Sequence, residues 1–208
     1  MSPARLVALA LALLAVGCAA SQEPSVLALD RVAGSSAALR GQLPAGTTAY
    51  DDLPGVTRLE RRLRDELRAA TTAAAADGVR IEVTSGWRSR AYQARLFDEA
   101  VVEHGSESAA AAWVARPGTS VHEAGAAVDL GPQAAIDWLV EHGADHGLCQ
   151  VYANEPWHFE LDPDAEDVGC PDLYADPTDD PRLRNQSSAS PATSSGASSV
   201  MKWAALST

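Results

Sequence analysis

Two short segments in the second half of the chain alternate apolar and polar residues, and they constrain the fold more than any other feature. In residues 126–131, the apolar residues at positions 126, 128 and 130 alternate with those at positions 127, 129 and 131, and position 129 is Asp129. In residues 157–161, the aromatic and aliphatic residues share one parity, while His158 and Glu160 share the other. A period of two is that of a β-strand with one face in the core. We therefore predict two strands that each carry polar side chains on the face opposite the core.

The polar residues in and beside these segments are of the kinds that a catalytic zinc site needs. His122, Asp129 and His158 offer two imidazoles and one carboxylate, and three such ligands leave one coordination position for water. Glu155 lies three residues before His158 and could take a proton from that water. We interpret Glu123 as a surface residue, because in a strand its side chain would point away from that of His122.

Two other assignments are open. His142 and His146 are four residues apart on a predicted helix, which is a spacing for two metal ligands on one face. Neighbouring glycines place them at a helix end, however, and no H-E-x-x-H arrangement supplies a base, so we favour the first set. Asp129 could also form a salt bridge with Arg88 or Arg116 instead of binding a metal. Its strand parity favours the ligand role.

Three motifs occur in one order along the chain. Ser-Gly-Trp-Arg-Ser occupies residues 85–89 and is followed by Gln93. The pattern S-x-H-x-x-G-x-A-x-D-x-G occupies residues 120–131, and Glu-Pro-Trp-His occupies residues 155–158. Together they resemble the D-alanyl-D-alanine carboxypeptidase family of VanY type, over about residues 51–180.

The resemblance implies a zinc peptidase with defined residue roles. The implied ligands of one zinc ion are His122, Asp129 and His158. Glu155 is implied as the general base. Arg88 is implied as the cation that faces the oxyanion or the substrate carbonyl.

The resemblance also implies a substrate. Ser120 and Gln93 are candidates for contacts with its C-terminal carboxylate or backbone, and the substrate would be a peptidoglycan stem peptide that loses its terminal D-Ala. L,D-carboxypeptidases, D,D-dipeptidases and endopeptidases of the same fold are alternatives that the sequence does not separate. A zinc-binding domain that recognises the cell wall without catalysis is another alternative, as is a structural lipoprotein whose histidines are incidental.

The N-terminal residues predict export. Arg5 precedes an apolar run at residues 6–16 that suits a signal peptide and is too short to span a bilayer. Cys18 ends a Leu-Ala-Val-Gly-Cys segment that resembles a bacterial lipobox. We expect lipidation of Cys18 and anchoring at the outer face of the cytoplasmic membrane. Secretion after cleavage near residue 20 is the alternative.

Cys149 and Cys170 remain as an even pair once Cys18 is set aside. An exported protein can keep a disulfide, so we expect a bridge that holds the chain after the last strand beside the site. Two free thiols are the alternative.

Charge limits the partners of this chain. Its 16 Lys and Arg against 28 Asp and Glu give a net charge of −12, which argues against nucleic acid as a partner. An acidic surface also gives no attraction to anionic lipid, so contact with a membrane would depend on the lipid anchor alone. We expect a monomer.

The whole pattern predicts an α+β fold, with a small antiparallel sheet that bears the zinc site and helices packed on the opposite face. Helices are predicted at residues 59–76, 89–104, 106–114 and 134–145, and further strands at 79–84 and 148–152. The predicted organisation is a signal peptide at 1–18, a tether and loose segment at 19–50, the peptidase domain at 51–184 and a disordered Ser- and Ala-rich tail at 185–208.

Overall fold

The computed structural model describes residues 36–183. Its elements are, in chain order, α1 (Pro54–Thr57), α2 (Arg61–Ala76), β1 (Glu82–Ser85), α3 (Arg90–His104), α4 (Glu107–Ala110), α5 (Val121–Ala124), β2 (Ala127–Gly131), α6 (Gln133–His142), a 3₁₀ turn (Gly143–His146), β3 (Leu148–Gln150), β4 (His158–Leu161) and α7 (Ala165–Val168). Within these residues, no helix combines the length and the apolar character needed to cross a bilayer. The predicted signal peptide, Cys18 and the predicted tail from residue 185 lie outside the described residues.

The four strands form one antiparallel sheet in the order β1-β2-β4-β3. The central pair, β2 and β4, consists of the two strands that the alternating pattern predicts. Their register places Asp129 opposite His158 and Val128 opposite Phe159. The polar residues therefore share one face of the sheet and the apolar residues share the other, as predicted.

The apolar face of the sheet packs against helices α2 and α6. Each helix turns a row of apolar side chains towards the sheet, so that helices and strands bury a common core. The buried residues of this core include Leu63, Leu67, Ala70 and Ala74 of α2, Ile136, Trp138 and Leu139 of α6, and Val83, Val128, Leu130 and Phe159 of the sheet. The predicted α+β architecture, with helices on the face opposite the polar pair, is confirmed.

The segment that carries His122 differs from the prediction. His122 and Glu123 lie in α5, a single helical turn, because the regular alternation begins only with β2. Helix α5 ends at Gly125, whose φ is +76°, and a Cβ atom there would lie 2.3 Å from the carbonyl oxygen of Arg58. Glu123 accepts a hydrogen bond from the backbone N–H of Gly118, so its side chain fixes the preceding loop.

Smaller differences concern element lengths and two side chains. The predicted helix at 106–114 is helical only over Glu107–Ala110, because the chain turns there and brings Trp113 against the ring of His104. Strand β1 begins at Glu82. Trp157 is 38% exposed, although it shares the strand parity of the core residues, and Val140 of α6 is 64% exposed.

Candidate metal centre

The three predicted ligands come from one helical turn and the two central strands. His122 lies in α5, Asp129 in the middle of β2, and His158 at the start of β4. All three are buried. The backbone N–H of Arg88 donates to the carbonyl oxygen of His122, so the loop after β1 holds α5 against the strands.

The three ligand atoms form a nearly equilateral triangle. His122 Nε2 is 3.3 Å from Asp129 Oδ1 and 3.2 Å from His158 Nδ1, and His158 Nδ1 is 3.2 Å from Asp129 Oδ1. Tetrahedral zinc with N and O ligands at about 2.0–2.1 Å separates its ligand atoms by about 3.3–3.4 Å. The triangle therefore has the dimensions of three zinc ligands.

The outer nitrogens of both imidazoles bind acceptors. His122 Nδ1 lies 2.9 Å from the carbonyl oxygen of Gly86, and His158 Nε2 lies 3.3 Å from Glu160 Oε1. Because a carbonyl and a carboxylate accept hydrogen bonds, these nitrogens carry the hydrogens. The lone pairs of His122 Nε2 and His158 Nδ1 then face each other and Asp129, an arrangement that suits a bound cation. Burial lowers the pKa of His158, but hydrogen bonds to Asp129 and Glu160 outweigh burial and raise it to about 9.

Asp129 uses its two carboxylate oxygens in different ways. Oδ1 faces the two histidines, while Oδ2 forms a salt bridge with Arg88. Burial alone would raise the pKa of Asp129, but His122 and the Arg88 guanidinium outweigh it and hold the pKa well below its usual range. The salt bridge and the ligand role, which the sequence presents as alternatives, are therefore compatible.

Arg88 is held by contacts on three sides. Its Nε donates to Ser85 Oγ at 2.7 Å, its Nη1 to Gln93 Oε1 at 3.3 Å, and its Nη2 to Asp129. Gln93 is fully buried and donates in turn to the carbonyl oxygen of Ala115. The guanidinium is thus fixed beside the ligand triangle, with N–H groups left over for a further partner.

Glu155 lies beside the triangle in a buried position. Burial raises the pKa of its carboxyl group to about 7, and the negative charge of Asp129 acts in the same direction. Its Oε1 atom is buried and has no hydrogen-bond partner among the described residues. A buried carboxyl oxygen without a partner is uncommon, so this atom is available to a molecule bound at the centre.

Two cavities meet at this centre. A narrow pocket of about 30 Å³ includes Gln93, Ser120, Pro177 and Leu183 in its lining. An open groove of about 620 Å³ runs along α3, past Glu99, Glu103, Trp113 and Trp157. Arg88 and Glu155 line both cavities. The centre therefore lies between a small cavity and a much larger one.

Behind His158 lies a set of residues that the sequence analysis did not identify. Glu160 accepts from His158 and binds Arg182, which also binds Asp180, and Asp180 accepts from the hydroxyl of Tyr152. One signal was present: Glu160 shares its strand parity with His158, so both had to lie on one face. The contact between Arg182 and Glu160 joins residues 22 apart, and no local sequence pattern indicates it.

The other histidine pair and the cysteines have structural surroundings. His142 and His146 both pack against Trp138. The ring centroid of His142 lies 4.8 Å from that of Trp138, and the ring centroid of His146 lies 6.2 Å from it. Within residues 36–183, the group of metal-binding residues that the structure brings together is His122, Asp129 and His158. Cys149 and Cys170 form the predicted disulfide.

A buried two-histidine, one-carboxylate centre with an open side and a neighbouring carboxyl group defines a metallohydrolase type of site. The family model described as VanY: D-alanyl-D-alanine carboxypeptidase matches residues 56–163, which is 108 of the 208 residues. The chain belongs to this family.

Individual relatives agree with this assignment. A D-alanyl-D-alanine carboxypeptidase of Enterococcus faecalis (strain ATCC 700802 / V583) is 31% identical over 134 residues. The match covers 52% of this chain and 50% of that protein, so the chain spans about half the length of its curated relative.

Solved structures resemble the chain as well. The LdcB LD-carboxypeptidase is 23% identical with a TM-score of 0.50, over 61% of this chain and 70% of that one, and shows the same fold. A vancomycin-resistance D,D-pentapeptidase VanY from a VanB-type resistance cassette, in complex with Zn(II), is 31% identical with a TM-score of 0.48, over 58% of this chain and 76% of that one.

Proposed function

We propose that this protein is a zinc-dependent D,D-carboxypeptidase that hydrolyses the terminal D-Ala from peptidoglycan stem peptides. The observation that carries the proposal is the triangle formed by His122, Asp129 and His158, with Glu155 beside it, in a chain of the VanY family. The triangle supports metal binding, the buried carboxyl group supports proton transfer, and the family supports the substrate class.

The residues present fit zinc. Two imidazole nitrogens and one carboxylate oxygen are zinc ligands of a catalytic type, and their separations of 3.2–3.3 Å suit tetrahedral coordination. When bound, zinc supplies a Lewis acid that polarises a carbonyl group and makes water more acidic. His122, Asp129 and His158 would hold it.

Glu155 is proposed as the general base. Its carboxylate would take a proton from the attacking water as the water oxygen bonds to the peptide carbonyl carbon. It would then give this proton to the amino group of the terminal D-Ala as the C–N bond breaks. The products are free D-Ala and a stem peptide shorter by one residue. A pKa of about 7 suits a group that accepts and returns a proton near neutral pH.

Arg88, Ser120 and Gln93 are proposed as the substrate-binding groups. The fixed guanidinium of Arg88 would donate to the carbonyl oxygen, on which negative charge develops. Ser120 and Gln93 line the narrow pocket and would donate to the C-terminal carboxylate. Gln93 has one amide hydrogen left after its bond to Ala115.

The unequal cavities favour removal of a single terminal residue. The narrow pocket, which Pro177 and Leu183 help to line, is much smaller than the groove and suits a single residue better than a longer chain. The open groove along α3 offers the space that the rest of a stem peptide needs. This arrangement favours a carboxypeptidase over an endopeptidase.

The place of action is also a proposal. A disulfide between Cys149 and Cys170 fits an oxidising compartment, and the lipobox-like segment ending at Cys18 fits attachment to the outer face of the cytoplasmic membrane. Globomycin sensitivity of processing and radiolabelling with palmitate would test this, because neither occurs with a protein that is simply secreted.

The activity is tested with four synthetic substrates: a pentapeptide stem ending in D-Ala-D-Ala, the tetrapeptide, free D-Ala-D-Ala and a cross-linked muropeptide. We expect loss of one D-Ala from the pentapeptide, measured by mass spectrometry. Cleavage of the tetrapeptide alone would show an L,D-carboxypeptidase, and cleavage of free D-Ala-D-Ala alone a dipeptidase. Cleavage only within cross-links would show an endopeptidase. If zinc binds and no substrate is cut, the protein is a recognition domain.

Zinc content gives a separate test. We expect about one zinc per chain by atomic emission, since the three ligands form one site, and we expect His122→Ala to lose it. His142→Ala is the matched control and should keep the metal. Equal occupancy in wild type and in His122→Ala would contradict the assignment.

A further inference from the structure

A charged network lies behind His158, on the side away from the ligand triangle. Glu160 Oε1 is 3.3 Å from His158 Nε2. Arg182 holds the same carboxylate at two points, with Nη1 2.7 Å from Oε2 and Nη2 3.2 Å from Oε1. The other edge of this guanidinium binds Asp180, with Nε 3.0 Å from both carboxylate oxygens and Nη2 2.6 Å from Oδ2.

Arg182 is the cation that pairs with both buried carboxylates of this network. Glu160 and Asp180 are both nearly excluded from solvent, with side chains 10% and 0% exposed, while the side chain of Arg182 is 48% exposed. Residues 117–181 contain no lysine or arginine, so this long acidic stretch supplies no cation of that kind for the two carboxylates.

The position of Arg182 in the chain is informative. The family model ends at residue 163, and Arg182 belongs to the segment that follows it. Cys170 ties this segment to β3 through the disulfide. The hydroxyl of Tyr152, whose ring centroid is 5.0 Å from that of His158, donates to Asp180 at 2.9 Å. The segment is therefore attached to the back of the metal centre at several points.

A carboxylate behind a histidine ligand fixes the ring tautomer and makes the ligating nitrogen more basic. It does so best when its own plane is held, and a two-point contact with arginine fixes a carboxylate plane more firmly than a single contact does. We infer that Arg182 is a positioning residue of the metal centre, acting through Glu160 on His158. The inference rests on the proposed function, because it takes His158 as a zinc ligand.

The test is the zinc affinity of the purified protein, measured by competition with a chromophoric chelator. Arg182→Met in the Asp180→Asn background avoids leaving Asp180 as a second buried carboxylate without its guanidinium, and Asp180→Asn alone is its reference. We expect zinc affinity to fall about 10- to 100-fold, the range for residues that support a metal ligand. The loss of zinc affinity should be smaller for Arg182→Lys, because lysine keeps the positive charge but cannot make the two-point contact with Glu160. Arg61→Met, which removes an exposed salt bridge with Asp65, is the matched control and should bind zinc like wild type.

Two readouts separate positioning from a general structural effect. In cobalt(II)-substituted protein, the visible absorption bands should shift in the Arg182 variants and not in Arg61→Met. In a Glu160→Gln background, replacing Arg182 should have little further effect on zinc affinity, because the group through which it acts is already changed. If replacing Arg182 lowered zinc affinity by the same factor with Glu160 and with Gln at position 160, the inference would be overturned.

The possible failures are distinguishable. If wild type binds no zinc, the proposed function is wrong and the inference falls with it. If wild type binds one zinc and is active, while all Arg182 variants keep its affinity and its cobalt spectrum, only the inference is wrong. Should the methionine variant not fold, Arg182→Lys with and without Glu160→Gln decides the question.

Discussion

Glu155 is the residue whose surroundings most directly suggest a chemical role. It is buried beside the ligand triangle, and one of its oxygens has no partner among the described residues. Glu155→Gln keeps the shape of the side chain and removes the base. We expect zinc content to stay at the wild-type level and kcat to fall about 10²–10⁴-fold. Turnover near that of wild type would place the base elsewhere, and Glu123→Gln is the matched control.

The same residue predicts a pH dependence. Glu155 acts as a base only when ionised, and burial raises its pKa to about 7, so kcat/KM should decline as pH falls through this region. A bound cation favours the ionised form and moves the decline to lower pH. We expect an acid limb at or below about pH 7 in profiles of the wild type. The residual activity of Glu155→Gln should lack this limb, and a limb of equal position in the variant would assign it to another group.

At the residue scale, the ligands of the metal centre could be predicted from the sequence, but the residues that support His158 from behind could not. Strand parity and motif spacing indicated that Asp129 and His158 would lie together, and the register confirms this. Arg182 could not be predicted in the same way. Its partner Glu160 is 22 residues away. A salt bridge at that separation depends on how an irregular segment folds back, and such a segment has no periodic sequence pattern from which the contact could be predicted.

At the scale of elements, the one-turn helix α5 is the least regular part of the site and depends on a single glycine. Gly125 ends the helix with φ +76°, and its Cα faces the carbonyl oxygen of Arg58. Alternating residues predict strands, but they do not report a turn whose geometry is set by a neighbouring backbone. For this reason, the strand conformation assumed for Glu123 beside His122 is wrong, and both residues lie in a helical turn.

Gly125→Ala should therefore disturb both stability and metal binding. Alanine at this position would have to adopt the left-handed backbone conformation, which costs about 1–2 kcal/mol. Its Cβ would also lie 2.3 Å from the Arg58 carbonyl oxygen. Gly78→Ala is a matched control, because φ is +77° there and nothing lies within 4 Å of the added atom. We expect urea denaturation to show the larger loss for Gly125→Ala, and zinc affinity to fall in that variant alone. Equal losses in the two variants would show that contact with Arg58 is unimportant.

At the scale of the whole molecule, the disulfide joins the sheet to the segment that walls the narrow pocket. Cys149 lies in β3, and Cys170 follows 21 residues later. A bridge closing a loop of this length contributes about 3 kcal/mol to stability in the chain-entropy model. We expect the double variant Cys149→Ser/Cys170→Ser to lose about that much free energy of unfolding in urea. A loss below about 0.5 kcal/mol, the level of an ordinary surface substitution, would contradict this role.

The order of the residues along the chain governs when the site can mature during protein synthesis. A ribosome releases His122, Asp129 and His158 well before Arg182, which is the next-to-last of the described residues. Until Arg182 emerges, the nascent chain has both buried carboxylates of the network without their guanidinium. With the role inferred for Arg182, a chain folded only as far as β4 would hold zinc weakly, and tight binding would require the segment that carries Arg182.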